Sequence, residues 1–368
     1  MNLIPSPDPL GLPAPAWFIL LLLIVTQVLH FVFMNFVLGG SWFLVWLMAG
    51  KEAWKGRLAA RCLNMMPVCL SLAITFGVAP LLFVQVLYGH FFYVSNILLG
   101  WYWLGLLALV MIAFYSIYIL KAEGDTGYRV AHPLVRLTLQ VVIALLFTTV
   151  AMAFTTNASL SQHPAVWEEA RMEPALLAAW SGIGLLLPRF LHNFVGSLGI
   201  TGIWILWIAA VRGQEEEATR GAKSGVSLAL GASTVQVMIG FWYLLSLPGE
   251  VLKAIMTFHS LAAAGLVFGI LMGVGMLFHL FLLFNDPGNT RLRWIATGLA
   301  AGTLLGMVTA SEGLRQALLQ KHFTLSDWTV HTQWGATLLF LALFLAGAGT
   351  VIWISKVAWE AHNPGQTE

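Results

Sequence analysis

Five ionisable side chains stand inside stretches of sequence too apolar to solvate them: His30, His192, His259, His279 and Glu312. Burying such a group in lipid costs on the order of 3 kcal/mol or more, so each is a functional candidate by default. Imidazole is a good ligand for haem iron, and two imidazoles at one depth on different helices can sandwich it. A haem also carries two propionates that need cations near the water boundary. Arg189 stands three residues before His192, and Arg315 three after Glu312. That spacing puts each pair on one helix face, and a guanidinium there fits propionate binding. Glu312 is the one carboxylate well inside an apolar run. It reads as an iron ligand, a proton-relay carboxylate or half of a structural Glu312–Arg315 pair. His279, near the other end of its run, reads as a structural hydrogen-bonder. His90, His163, His322 and His331 fall at or beyond the end of a run and read as interfacial or solvated.

The elements that position these residues follow from composition. Of 368 residues, 59% are hydrophobic and only 9% charged, with a mean hydropathy of +0.84. An ordinary soluble domain carries about 25% charged residues, so the chain is neither soluble and globular nor a nucleic-acid binder. Lipid is its solvent. Two cysteines build neither a disulfide scaffold nor a four-thiolate site, and without C-x-x-C-H the chain attaches no c-type haem. Nine runs are long enough to span a bilayer, at about 16–49, 64–89, 94–121, 132–157, 184–212, 224–246, 251–284, 292–318 and 328–357. Backbone polar groups in lipid must be satisfied internally, so these are helices. The fold class is an all-α polytopic membrane protein, a single domain over residues 1–368. Residues 1–15 lack a basic n-region and do not read as a cleaved signal.

Lys and Arg set the orientation. Lys51, Lys55, Arg57 and Arg61 follow span one; Lys121, Arg129 and Arg136 follow span three. Arg212, Arg220 and Lys223 follow span five, Arg291 and Arg293 follow span seven, and Lys356 ends span nine. All fall on one side, which the positive-inside rule makes cytoplasmic. The N-terminus is then outside and the C-terminus cytoplasmic. His30, His192, His259 and Glu312 all lie in the outer half. The longest outer segment, 158–183, carries Glu168, Glu169 and Glu173 and reads as a short surface helix. Trp101, Trp103, Trp167, Trp180 and Trp328 read as the outer aromatic belt.

Three strings, in this order, resemble subunit I of the cytochrome bd oxidases over nearly the whole chain. Span one reads LHFVFMNFVLGG, span five PRFLHNFVGSLGITG and span eight TASEGLRQ. The resemblance implies that His30 is the span-one haem ligand and His192 the low-spin haem ligand. It implies that Glu312, with Arg315, matches the family's Glu-x-Gly-Arg-Gln motif, whose Glu binds a high-spin haem. Two or three haems b are implied, with haem d the alternative at the high-spin site. The family's second low-spin ligand is a span-seven Met. An ungapped match puts Leu271 there with Met272 beside it, while His259 lies closer to the depth of His192. His259 is therefore the expected ligand and Met272 its rival. The departures are equally specific. The quinol-binding loop after span six is reduced to Leu247-Pro248-Gly249-Glu250. Span three carries no carboxylate, a span-two Glu falls at Gln85, and Ala317-Leu318 replace a Pro-Trp.

The expected function is thus a haem b subunit of a respiratory electron-transfer complex in the bacterial inner membrane. It would exchange electrons with a quinone or an outer-side c-type cytochrome, beside a second bd-like subunit. A terminal oxidase is the alternative, weakened because oxygen reduction at a buried haem needs delivered protons. A transporter ranks last, because it predicts midplane polar residues in broken helices.

Overall fold

The computed structural model describes residues 4–126, 132–210, 215–257 and 260–362. Among them are nine helices long and apolar enough to cross a membrane, and the expected all-α polytopic fold is what forms. These are α1 (Ala16–Ala49), α2 (Ala53–Leu98), α3 (Gly100–Thr126), α4 (Pro133–Ser161), α7 (Leu186–Ala210), α8 (Glu215–Leu245), α10 (Leu261–Asn285), α11 (Thr290–Leu319) and α12 (Trp334–His362). Three short helices lie between them: α5 (Trp167–Met172), α6 (Ala175–Gly182) and α9 (Gly249–Ile255).

The helix starts carry the side chains that orphaned N–H groups need. His132 precedes α4 and accepts from Leu134 N, with Pro133 at the first helical position. Ser260 caps α10 by accepting from Ala263 N at 3.0 Å. Asn289 caps α11 by accepting from Leu292 N at 3.1 Å.

Three boundaries differ from the hydropathy pattern. Span two is one helix of 46 residues that leaves helical geometry at Tyr88 (φ −132°, ψ 26°). At 1.5 Å per residue it is about 69 Å long, twice the hydrocarbon thickness, so its ends project well beyond lipid. Span seven starts at Leu261, because 249–255 folds as the separate α9. The ninth span starts at Trp334, because Leu325–Asp327 is a 3-10 turn closed by a Thr324 capping box. Outer segment 158–183 forms two short helices, α5 and α6, rather than one.

Consecutive helices pair as antiparallel hairpins, α1 with α2, α7 with α8 and α10 with α11. Small residues permit the approach. A side chain at Gly306 of α11 would bring its Cβ to 2.5 Å from the Gly269 backbone of α10, so only glycine fits that crossing. Two apolar cores result. One lies toward the basic end and includes Phe36, Leu44, Met66, Ile117, Leu206 and Leu280. The other lies toward the opposite, outer end and includes Leu23, Leu87, Phe91, Leu160, Trp167, Leu186 and Leu314. The N-terminal strap closes that outer end. Leu12 N donates to Thr329 O at 2.8 Å, and His331 N donates back to Leu12 O at 2.8 Å. By contrast α12 buries none of its most apolar window and meets the bundle where Phe340 packs on Phe83 at 5.3 Å.

The aromatic belt is only partly where composition placed it. Trp101 is exposed, but Trp167 and Trp328 are core residues. Trp167 donates its indole N–H to Leu160 O at 2.8 Å, tying α5 onto the end of α4. Trp167→Ala should cost about 3–5 kcal/mol, the usual penalty for a buried Trp. Reversible unfolding in detergent measures it, and a change under 1 kcal/mol would show that the outer core does not depend on this side chain.

Candidate functional site

The ligand candidates do not converge into one cluster. Among the described residues no group of three His, Cys, Asp or Glu is arranged to hold a metal ion. Each of the described candidates, His30, His192, Glu312 and Met272, faces a different neighbour.

His30 lies fourteen residues into α1, about 21 Å along the helix. Its Nδ1 bonds the Ala73 carbonyl of α2 at 2.7 Å. With the proton on Nδ1, held by the Ala73 carbonyl, the Nε2 lone pair is left to ligate, as in metal-binding imidazoles whose other nitrogen donates to a backbone carbonyl. The ring lies against Gly77, where a Cβ would come within 2.8 Å of Nδ1. A glycine is needed there for the imidazole to keep its place. Gly77→Val should therefore displace His30 and remove whatever signal His30→Ala removes. A Gly77→Val protein with an unaltered absorption spectrum would mean the ring's position is immaterial.

His192 lies six residues into α7, about 9 Å along it. Its ring faces α8, 3.5 Å from a Cβ built on Gly240 and 6.0 Å from the Tyr243 ring. Nδ1 is buried with no hydrogen-bond partner among the described residues. Gln236 holds the backbone, donating to His192 O at 2.8 Å. Arg189, one turn toward the outer end, is buried and turns to α4. It donates to Gln162 Oε1 at 2.9 Å and Ser159 Oγ at 3.2 Å. Both partners are neutral, so this buried cation keeps an uncompensated charge that an anion would relieve.

His163 belongs to the same neighbourhood and is partly buried just beyond the end of α4. Its Nδ1 bonds Ser159 O at 2.7 Å. Burial is the largest influence and lowers its pKa below 6.5; the Ser159 bond acts upward and nearby Arg189 downward. The folded state therefore keeps it neutral while the unfolded chain takes the proton first. The stability this contributes is complete above pH 6.5 and falls as the pH drops below it. His163→Gln should flatten that acid limb of the stability profile, and an identical limb in the variant would remove His163 as its source.

Glu312 and Arg315 meet as their spacing on α11 implies. Arg315 Nη2 lies 3.0 Å from Glu312 Oε1, and both side chains are nearly fully buried. Glu312 Oε2 is left without a partner. The Arg315 guanidinium sits over the Tyr88 ring of α2, 5.2 Å from its centroid. Met272 lies eleven residues into α10 with its sulfur against Gly302 of α11, where a Cβ would come within 3.0 Å. That is about 16 Å along α10, deeper than His192 on α7. His259 lies outside the described residues, immediately before the α10 cap. His279 Nδ1 bonds Gly275 O of its own helix at 2.8 Å, the structural role expected. Gln85 accepts from Tyr93 Oη at 2.9 Å on an exposed face of α2.

Several polar residues in these sites escaped sequence reasoning. Ser159 and Gln162 were hidden at the end of a span. Tyr88 carries no signal in the sequence that sets it apart from the other aromatics of its span. His90 is buried, not interfacial; both its ring nitrogens lack partners, and Phe91 and Phe323 pack on it at 4.3 and 4.6 Å. The one signal within reach was Gln316, which closes the TASEGLRQ string.

The fold and sites together define a multi-pass helical membrane protein with buried histidine, glutamate and arginine side chains, partly unsatisfied among the described residues, toward the end of the bundle opposite its basic loops. No protein-family model matches the sequence, and no curated protein matches it. Among solved structures, the chain is similar to the bd oxidase from Geobacillus thermodenitrificans, with a TM-score of 0.68 and 13% identity. The match covers 94% of this chain and 99% of that one. At that identity the likeness is one of fold.

Proposed function

We propose that this protein is the haem b-carrying membrane subunit of a respiratory electron-transfer complex, related to subunit I of the cytochrome bd oxidases. The observation that carries the reading is chemical. Among the described residues, a buried histidine nitrogen at His192 and a buried carboxylate oxygen at Glu312 have no partner, and the Arg189 guanidinium has only neutral acceptors. Iron ligands and propionate clamps satisfy those three needs together. The residues therefore fit haem. His192 and a span-seven residue, His259 with Met272 as rival, would hold a six-coordinate centre. His30 and Glu312 would hold one or two further haems.

The bound haem supplies reversible one-electron chemistry, and the protein sets its potential through axial ligand, burial and nearby charge. Arg189 would bind and orient a propionate of the bound haem. Ala73 O keeps the proton on His30 Nδ1. Arg315 compensates the Glu312 carboxylate, and the outer core of Leu87, Phe91 and Leu186 excludes water. Swapping His259 for Met should raise the low-spin potential, since Met ligation does so relative to bis-His. An unchanged potential would transfer the role to Met272.

Electrons enter or leave at the outer face, through a partner. The ligand candidates are read as lying in the outer half, and only the seven-residue α9 stands between spans six and seven, where the resemblance implies a long quinol loop. Mild purification should bring down a second bd-like subunit or an outer-side c-type cytochrome, and reduced cytochrome c should be oxidised faster than a quinol. A stable isolated monomer oxidising quinol at full rate would contradict this. The alternative, a terminal oxidase, would be favoured if the purified complex consumed oxygen with either donor.

A further inference from the structure

Four side chains that meet around Tyr88 each carry a buried polar atom with no well-formed hydrogen bond among the described residues: the Tyr88 hydroxyl, Glu312 Oε2, Arg315 Nε and the Gln316 amide nitrogen, the hydroxyl and the Gln316 side chain lying close enough to interact. Tyr88, Glu312 and Arg315 are each more than nine-tenths buried. The Tyr88 hydroxyl faces Gln316 and the Glu312–Arg315 pair, and the Tyr88 ring stacks beneath the guanidinium. Native proteins pair more than about 90% of buried polar groups. Three of these four atoms are donors, Tyr O–H, Arg Nε–H and Gln N–H, and they surround a cation. The ligand they suit is a carboxylate. The Arg315 fork is already half used, because Nη2 is on Glu312 Oε1; its Nε–H is the edge left for a second anion.

Tyr88 is also the residue at which α2 leaves helical geometry. The carbonyl just before it, Leu87 O, accepts the Trp328 indole N–H at 3.1 Å. Trp328 follows the 3-10 turn that Thr324 and Asp327 close. An outer loop thus fastens the break, the break aims Tyr88, and Tyr88 holds Arg315.

We infer that Tyr88 is a positioning residue of the Glu312 centre. Its ring fixes Arg315, its hydroxyl joins Arg315 Nε and Gln316 as a seat for a carboxylate of the group bound there, and Trp328 latches it. This rests on the reading of Glu312 as a haem ligand, which makes that carboxylate a propionate. Nothing in the three sequence strings points to Tyr88 or Trp328.

The test uses the purified holoprotein and its Tyr88→Phe, Tyr88→Leu, Trp328→Phe and Glu312→Gln variants. Haem content per chain, the high-spin signal with its midpoint potential, and thermal unfolding are measured, with the low-spin band of the His192 centre as internal control. Tyr88→Phe keeps the stack and loses the hydroxyl, so the high-spin potential should shift with haem content retained. Tyr88→Leu loses both, so high-spin content should also fall. Trp328→Phe should move the high-spin potential in the same direction as Tyr88→Phe. The low-spin band should stay in place throughout. If Tyr88→Leu fails to fold, Tyr88→Phe decides. High-spin potential and content unchanged in the Tyr88 variants, while Glu312→Gln abolishes the signal, would overturn the positioning role and leave Glu312 a ligand. A Glu312→Gln protein that keeps every haem would overturn both.

Discussion

His192→Ala should abolish the sharp low-spin alpha band and leave about one haem fewer per chain than the parent, the consequence of removing an axial ligand. The expectation rests on position and on an unmet need. The imidazole lies about two turns below the outer end of α7, its Nδ1 has no partner among the described residues, and the buried Arg189 guanidinium stands one turn outward with only neutral acceptors there. An apolar residue in place of His192 would remove an orphaned nitrogen and so should not by itself unfold the helix pair. The loss should therefore be confined to the spectrum. Arg189→Gln should weaken the same haem without removing its ligand, giving partial occupancy. An unchanged spectrum and haem content in His192→Ala would end the assignment.

Glu312→Gln carries the second large effect. If Glu312 ligates iron, the amide should empty the high-spin site and lose its signal. If Glu312 serves only as the partner of Arg315, every haem should stay and only stability should fall. Breaking a buried pair leaves an uncompensated charge and typically costs about 3–5 kcal/mol. The pair alone does not satisfy the carboxylate, since Oε2 remains unused beside a 3.0 Å contact at Oε1. That unused oxygen favours ligation. Loss of the high-spin signal with the low-spin band intact supports it, and full retention of haem with a lowered unfolding temperature makes Glu312 structural.

The architecture was legible because lipid imposes a simple rule: a run of about 20 apolar residues must be a helix. The Glu312–Arg315 contact was legible for a similar reason, since three residues on a helix is one turn. What escaped depends on contacts between helices. Nothing in the order of residues tells that Arg189 would leave its own face for Ser159 of α4 and Gln162 just past its end. The break at Tyr88 has no proline at the spot; Pro80 lies two turns earlier, and the fastening Trp328 is 240 residues away in sequence. The aromatic belt failed at Trp167 and Trp328 because a Trp near a helix end is equally suited to lipid headgroups and to an outer core whose carbonyls can accept its N–H. Gly249–Ile255 reads as part of a span because Val251, Leu252, Ala254 and Ile255 run into the apolar stretch that follows, yet it carries Glu250 and Lys253, and Pro248 starts a separate helix there.

The central claim is that this chain carries haem b, and the direct measurement is a reduced-minus-oxidised absorption spectrum of the purified protein with pyridine-haemochrome typing. The account predicts a sharp low-spin alpha band, at least one high-spin component, and two or three non-covalent haems per chain typed as b, or b with d at the Glu312 site. A protein that purifies folded from a haem-replete host, with no absorbance above the aromatic band and no pyridine haemochrome, would contradict it.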